Sequence, residues 1–409
     1  MSRTFVGFGF GPIQSGLFAK EAAESGRFDE IVVAEVDGAL VEALRRNNDT
    51  YTVNVAYADR VEAVNVQGVK LLHLADPNDR RRIRTALSSA TEIVTSLPSV
   101  DFYTRGGEAS VAALIADGLL SNPHGQTIIY TAENNNHAAE ILQTAVTAAA
   151  RVSALHAARR TPNALPRPCQ FLNTVIGKMS QVSALEGPSP LQPIVPGLPR
   201  AFLVETFNRI LVSKITLPGF EPGITAFEEK MDLLPFEEAK LYGHNAIHAA
   251  LGFLGKNLGA CSLADLHGNA AVMATARQAF VHEIGAALVK KHSRLNDPLF
   301  TPDGFAAYAD DLLERMTNPF LADTIERAIR DPLRKLGADD RIFGAIRQCL
   351  AQGIEPAALA RAASIALHIT NPRSAGIAET LAILWRDSPL PPDETARIAS
   401  LLEKQAPST

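Results

Sequence analysis

Two kinds of hydrophobic spacing divide the chain. In the first part, short β-branched runs alternate with segments whose apolar residues recur at helical intervals. The runs predict strands at Thr4–Phe8, Ile31–Glu35, Glu92–Ser96, Thr127–Thr131 and Gln170–Val175. Between them Ile13–Ser25, Ala39–Asn47, Ala109–Leu120 and Ala138–Ala158 read as helices. Strand-helix alternation of this kind points to an α/β domain with a mainly parallel sheet, of Rossmann type. Gly187–Pro199 then holds five prolines in thirteen residues, which suits a stiff extended connector, and Ala201–Ile215 reads as a further extended patch. From about Phe227 onward the pattern is almost wholly helical, with start and stop signals such as Asp340 and Gly353 around one run. The predicted organisation is an N-terminal domain over 1–186, a linker and extended segment over 187–226, and a helical domain over 227–409.

Composition narrows the function without naming it. The 409 residues are 46% hydrophobic and 20% charged, ample for two domains with cores of their own. A net charge of −5 argues against a nucleic-acid partner. Cys169, Cys261 and Cys349 stand far apart, with no CxxC or CxxH spacing, which fits a reducing, cytoplasmic setting. No signal peptide is expected from MSRTFVGFGFGP, and no apolar run is long enough for a membrane partner. Asp79–Arg84 (DRRRIR) reads as a solvated helix start, and Trp385 and Cys349 as packing residues.

The first strand runs into Gly9-Phe10-Gly11, and Pro12 and Ile13 open a helix. Glycines there let a backbone turn tightly and approach a pyrophosphate at a helix N-terminus. Gln14 takes the place of the third glycine of GxGxxG, so Gly16 is left to serve close packing. The next strand ends at Glu35, twenty-six residues after Gly9, where a carboxylate accepts ribose hydroxyls and repels a 2′-phosphate; the predicted cofactor is NAD rather than NADP. The plainer alternative is that Glu35 and Asp37 cap a strand or a helix.

Glu238–Gly255 (EAKLYGHNAIHAALGFLG) carries the other chemistry. On an α-helix Lys240, Asn245 and His248 fall at roughly 0°, 140° and 80°, one broad face. A lysine whose pKa is lowered serves as a general base, and Asn and His polarise a carbonyl or steady an alkoxide. Taken alone, the segment equally suits a solvated lysine and a core histidine. His244 and His248 also form an HxxxH pair, but Asn245 stands where a zinc protease has Glu, and the expectation is no metal.

Together these motifs resemble the polyol-specific long-chain dehydrogenases of the mannitol dehydrogenase superfamily, in particular the mannitol-1-phosphate 5-dehydrogenase branch. The matching stretches are Gly9–Phe18 (GFGPIQSGLF), Glu35 in AEVD, Ala132-Glu133-Asn134, Phe171–Lys178 (FLNTVIGK), Lys240-x4-Asn245-x2-His248 and Asn318–Arg341. Gln14, Gly177 and Lys178 depart from the family's pattern. The resemblance implies that Lys240 is the base, that Asn245 and Asn173 stabilise the alkoxide, and that His248 orients substrate. It places Gly9, Gly11, Pro12, Ile13, Glu35, Ser96, Glu133 and Asn134 at the cofactor, and Arg327, Lys335 and Glu205 at the substrate. Arg327, Arg330, Arg334, Lys335 and Arg341 also suit a phosphate anchor, although Glu326, Asp331, Asp339 and Asp340 interleave as they would on a surface helix pair. The implied reaction is metal-independent, NAD-linked oxidation of a sugar alcohol phosphate to a ketose phosphate, by a monomer or small homo-oligomer. A free polyol or hexuronate is the alternative substrate, and a non-catalytic NAD-binding sensor the alternative function.

Overall fold

A computed structural model describes residues 3–156, 165, 167–185, 190–371 and 376–405. The described chain forms two units, Met1–Leu233 and Leu234–Thr409. The ends of the predicted helix at Ala158 and of the predicted domain at residue 186 lie outside the described residues.

Among the described residues the first unit has twelve strands: β1 (Thr4–Phe8), β2 (Glu30–Glu35), β3 (Thr50–Ala56), β4 (Val61–Gln67), β5 (Val69–His73), β6 (Ala90–Thr95), β7 (Thr127–Thr131), β8 (Cys169–Ile176), β9 (Ser180–Ala184), β10 (Arg200–Glu205), β11 (Ile210–Ser213) and β12 (Phe227–Lys230). Eight form one sheet in the order β12-β11-β8-β7-β6-β1-β2-β5, parallel except where β11 meets β8. Burial on both faces explains why these strands read as near-continuous apolar runs. Along β1 the side chains alternate between two cores, Phe5 in one and Val6 and Phe8 in the other. The chain leaves β1 toward β2 on one side and later reaches β6 on the other, which creates a switch point beyond the C-terminal ends of β1 and β6.

A second sheet, β4-β3-β10-β9, packs against the segment that follows β1. The predicted extended patch Ala201–Ile215 is present as β10 and β11, but these strands and β12 belong to the first unit rather than to a linker or the helical unit, which begins at Leu234 and not at residue 227. The prolines lie outside these strands, and the residues between them still bond to β3. Ile194 O accepts from Thr52 N at 2.8 Å, and Asn54 exchanges two side-chain hydrogen bonds with the Gln192 backbone. Asp79 is also corrected. It is buried under Arg45 and Arg82, with the His73 amide donating to it, and is not a solvated helix residue.

Glu92 lies fully buried in β6 and ties down a distant loop, accepting from Gly223 N at 2.6 Å. Burial raises its carboxyl to about 7, against the pull of the Gly223 amide and of Arg3. Its proton is held to about pH 7 in the fold but only to 4.5 in a free glutamate side chain. The stability tied to it is therefore complete below the lower value and lost as pH rises through the upper one, by at most about 3 kcal/mol. Glu92→Gln is expected to match wild type near pH 5 and to exceed it in thermal stability near pH 8. A melting-temperature difference that does not change with pH would contradict this.

The second unit is helical. A continuous run joins Leu234–Glu238, a π-helical stretch Ala239–Asn245 and the helix Ala246–Asn257, whose Ala246, Ile247, Leu251 and Phe253 are fully buried. Asp340 caps the helix Arg341–Ala351, and Gly353 follows in the left-handed conformation, as the sequence predicts. Trp385 and Cys349 are core residues; the indole packs edge-on to Phe343 and donates to Leu336 O at 3.0 Å.

Candidate active site

The Gly-rich turn sits at the switch point. Gly9 has φ +80°, its N–H donates to Ala34 O at 2.9 Å, and a Cβ there would stand 2.6 Å from Ser96 O at the end of β6. Ser96 thus follows the strand rather than ending it, and forms the opposite wall. Around Gly11 a Cβ would meet nothing within 4 Å, so its backbone faces open space. Phe10 points the other way, edge-on to Tyr51 and Phe202 of the second sheet, and anchors the turn. Pro12 and Ile13 open the helix as expected, and Gly16 packs against Val204, where a Cβ would come within 2.6 Å. Gln14 is fully buried, with its amide in the space that the missing side chain of Gly7 leaves open.

At the end of β2, Glu35 accepts from Phe10 N (2.7 Å), Val36 N (2.7 Å) and Asp37 N (2.9 Å). A carboxylate has about four acceptor positions, which leaves capacity for a ribose hydroxyl. Asp37 is the helix cap, accepting from Leu40 N at 3.1 Å. Glu133 is buried, accepting from Thr95 Oγ1 and Leu97 N at 2.9 Å and from the Tyr103 hydroxyl. Burial holds its carboxyl above the usual value, and its bonds fasten the ends of β6 and β7 together. Asn134 next to it is exposed.

Two other expected residues are committed to the framework of this unit. Asn173 on β8 accepts from Ala139 N (2.9 Å) at the start of the helix Ala138–His156, while its Nδ2 donates to Glu140 (2.9 Å). Glu205 is only 3% exposed and accepts from Met179 N, and Lys178 donates to Phe207 O at 2.8 Å.

In the helical unit the π stretch changes the predicted face. Its i→i+5 bonding brings a residue and the fifth after it into line, so Lys240 and Asn245 align more closely than on an α-helix. His248 follows three residues later on regular α-helix. Lys240 is half-buried. Burial lowers its ammonium to about 8, with Arg341 acting in the same direction and Glu237 opposing them. His244 is buried with Nδ1 unpartnered, and burial beside His248, Arg315 and Lys240 holds its pKa well below the ordinary value. Among the described residues, no group of three or more His, Cys, Asp or Glu is arranged to hold a metal ion.

His248 Nε2 meets Asp323 Oδ2 at 2.8 Å, and Arg327 pairs with the other oxygen, Oδ1, at 2.6 Å. Close helix packing allows this. A Cβ at Gly252 would come within 2.8 Å of Ala328, and one at Gly255 within 2.6 Å of Ile325, so only glycine admits the helix Ile325–Ile329. Lys335 is buried and donates to Ala328 O (2.6 Å) at the end of that helix. Burial, then Arg341, Arg334, Arg330 and Arg327, lower it to about 8. Asp331 and Asp340 pair with Arg334, and Asp340 with Arg341. The interleaved acids therefore offset part of the charge.

Sequence reading did not find Asp323 or Glu237. Asp323 lies seventy-five residues from His248, a separation that leaves no local signal. Glu237 sits one helical turn before Lys240, and that spacing could have revealed it.

The fold and these sites define a two-unit protein with a dinucleotide-binding type of sheet and a helical unit bearing Lys, Asn and His. Residues 232–380, nearly all of them in the helical unit, match the family model of the mannitol dehydrogenase C-terminal domain. The chain is 28% identical over 403 residues to a mannitol-1-phosphate 5-dehydrogenase of Pseudarthrobacter chlorophenolicus, covering 97% of this chain and 92% of the relative. These two matches bear out the resemblance drawn from the sequence. A substrate-free D-sorbitol dehydrogenase has the same fold, with TM-score 0.74, 14% identity and coverage of 99% of this chain and 93% of that one. So does the Pseudomonas fluorescens mannitol 2-dehydrogenase solved with NAD and D-mannitol, at TM-score 0.69, 13% identity and coverage of 99% and 91%. No helix among the described residues is long and apolar enough to cross a membrane.

Proposed function

We propose that this chain is an NAD-dependent dehydrogenase that interconverts a polyol phosphate and its ketose phosphate without a metal, with Lys240 as the base. The observation that carries the reading is a lysine lowered to about 8 on a π-helical turn that aligns it with Asn245, one α-helical turn before His248. An ordinary surface lysine stays protonated at neutral pH and cannot accept a proton; this one can. The matched C-terminal domain and the full-length relative support the same class.

The nucleotide end fits NAD. Gly11 leaves open backbone for a pyrophosphate, Gly9 allows the tight turn beside Ser96, and Glu35 presents a carboxylate that disfavours a 2′-phosphate. Bound NAD supplies the hydride acceptor. Pro12 and Ile13 begin the helix whose N-terminus would hold the pyrophosphate, and Glu133 and Asn134 would border the nicotinamide. Neutral Lys240 takes the proton of the reacting hydroxyl; in the reverse direction its ammonium returns one. Asn245 donates to the oxygen as charge develops, and His248 and Arg327 hold neighbouring hydroxyls. Asn173 keeps one amide hydrogen beyond its bond to Glu140, a spare donor on the nucleotide-binding unit. Lys335 acts mainly through its charge, while Glu205 serves its own unit by accepting from the Met179 amide.

The arginines that lower Lys335 create a positive field, which favours an anionic substrate over a neutral polyol. A carboxylate answers to that field as well as a phosphate does. The test is NADH and NADPH oxidation with fructose 6-phosphate, fructose, fructuronate and tagaturonate in parallel, with and without a chelator. The expected result is NADH-specific reduction of the phosphate that the chelator does not change. Turnover of only an unphosphorylated ketose or a hexuronate would overturn the substrate. Silence across the panel with NADH still bound would favour the sensor.

A further inference from the structure

We propose that Asp323 is a positioning residue that sets both His248 and Arg327 for the substrate, by holding the imidazole on one carboxylate oxygen and the guanidinium on the other. This rests on the function proposed above and adds a member to the same site. The two contacts are 2.8 Å to His248 Nε2 and 2.6 Å to Arg327 Nη1, and the Asp323 side chain is 4% exposed.

The local chain is built to deliver that carboxylate. Asn318 caps the short turn Pro319–Leu321, accepting from Phe320 N at 2.8 Å. Ala322 then takes φ +48°, a conformation that costs a residue with a side chain free energy and that persists only where its surroundings enforce it. Asp323 O accepts from Leu263 N at 2.9 Å, Ser262 and Thr324 form a β-bridge, and Ile325 N donates to Cys261 O at 3.0 Å. Thr324 next caps the helix that carries Arg327. The backbone on both sides of Asp323 is thus clamped to the loop 261–263, and Gly252 and Gly255 let this assembly approach the helix of His248.

The chemistry follows from the contacts. A carboxylate on Nε2 requires the proton there, which leaves Nδ1 for a substrate hydroxyl. Burial alone would raise the Asp323 carboxyl, but His248 and Arg327 outweigh it and bring it to about 2, so it is ionised wherever the enzyme works. Arg327 loses part of its freedom to the same anion and arrives oriented. A group of this kind, which acts through its neighbours, changes affinity or rate by about 10- to 100-fold when removed from comparable sites.

The experiment is steady-state reduction of fructose 6-phosphate by the full chain carrying Asp323→Asn, Asp323→Ala, or Asp323→Asn combined with His248→Asn and Arg327→Gln. NADH affinity, melting temperature and the low-field proton NMR signal of the imidazole N–H are followed alongside. Asp323→Asn is expected to raise KM about tenfold or more and to lower kcat less, with NADH affinity within about twofold of wild type. In the His248→Asn, Arg327→Gln background the same change should alter KM less than about twofold, because its intermediaries are gone. An equal effect in both backgrounds overturns the proposal, as does a loss of NADH affinity in proportion to melting temperature, which marks a residue needed only for folding. If wild type reduces no ketose, the functional reading fails separately, and the imidazole decides the pairing. A low-field signal present in wild type and lost in both Asp323→Ala and His248→Asn supports it, and its absence from wild type overturns it.

Discussion

Lys240→Met is expected to reduce turnover about a thousandfold or more while leaving NADH affinity within about twofold of wild type. Methionine keeps an apolar stem of similar length in the half-buried position, so the helix should fold unchanged, and only the titrating amine is removed. The loss should appear in both directions of the reaction, because the group that takes the proton in oxidation returns it in reduction. Lys240→Arg should be nearly as inactive, since a guanidinium stays protonated at any working pH. Stopped-flow and steady-state rates measure the effect. Turnover within about tenfold of wild type in the methionine variant would remove Lys240 from the role of base.

Gly11→Val should weaken NADH binding about a hundredfold without loss of stability. The two glycines of the turn differ in a way that makes this a clean test. At Gly9 a Cβ would strike the Ser96 carbonyl at 2.6 Å and φ is +80°, so a substitution there disturbs the protein itself. At Gly11 a Cβ would meet nothing within 4 Å, and φ is not in the left-handed range. The valine side chain therefore enters open space, where on the proposed reading it would block the approach of a pyrophosphate to the backbone. Calorimetric titration with NADH and a thermal melt give the two readouts. Unchanged affinity would place the dinucleotide elsewhere.

What the sequence made legible was local. Thr4–Phe8, the Gly9–Pro12 turn and Glu35 are consecutive pieces of one strand-turn-helix-strand unit, and their placement is written within thirty-odd residues. The same holds for Lys240, Asn245 and His248 on one helical run, although the π stretch that aligns the first two was not predictable from spacing alone. The second sheet depends instead on β3 pairing with β10, which lies about 150 residues further on, and neither strand announces its partner. The prolines of 187–199 keep the described residues of that stretch out of helix and strand, as expected, but do not detach it from the first unit. They remove donors, but Gln192 and Ile194 between them keep theirs, and the sheet uses these. Asp323 was invisible for the same reason as β10: its partner is distant in sequence, and beside Thr324 it reads as part of a helix cap. Glu133 and Glu205 were noticed, but their burial and backbone bonds belong to the folded unit and leave no mark in the sequence.

The most direct test of the central claim, a lysine base acting on a polyol phosphate, is kcat/KM for NAD-linked oxidation of mannitol 1-phosphate against pH, with free mannitol alongside. Burial with Arg341 outweighs Glu237 and sets Lys240 at about 8 rather than at its ordinary 10.5, so the rate should climb with pH and level off above about 8. Reduction, which needs the ammonium, should fall across the same range. The phosphate should be preferred throughout. A pH-independent rate, or NADH formed from mannitol but not from its phosphate, would contradict the account.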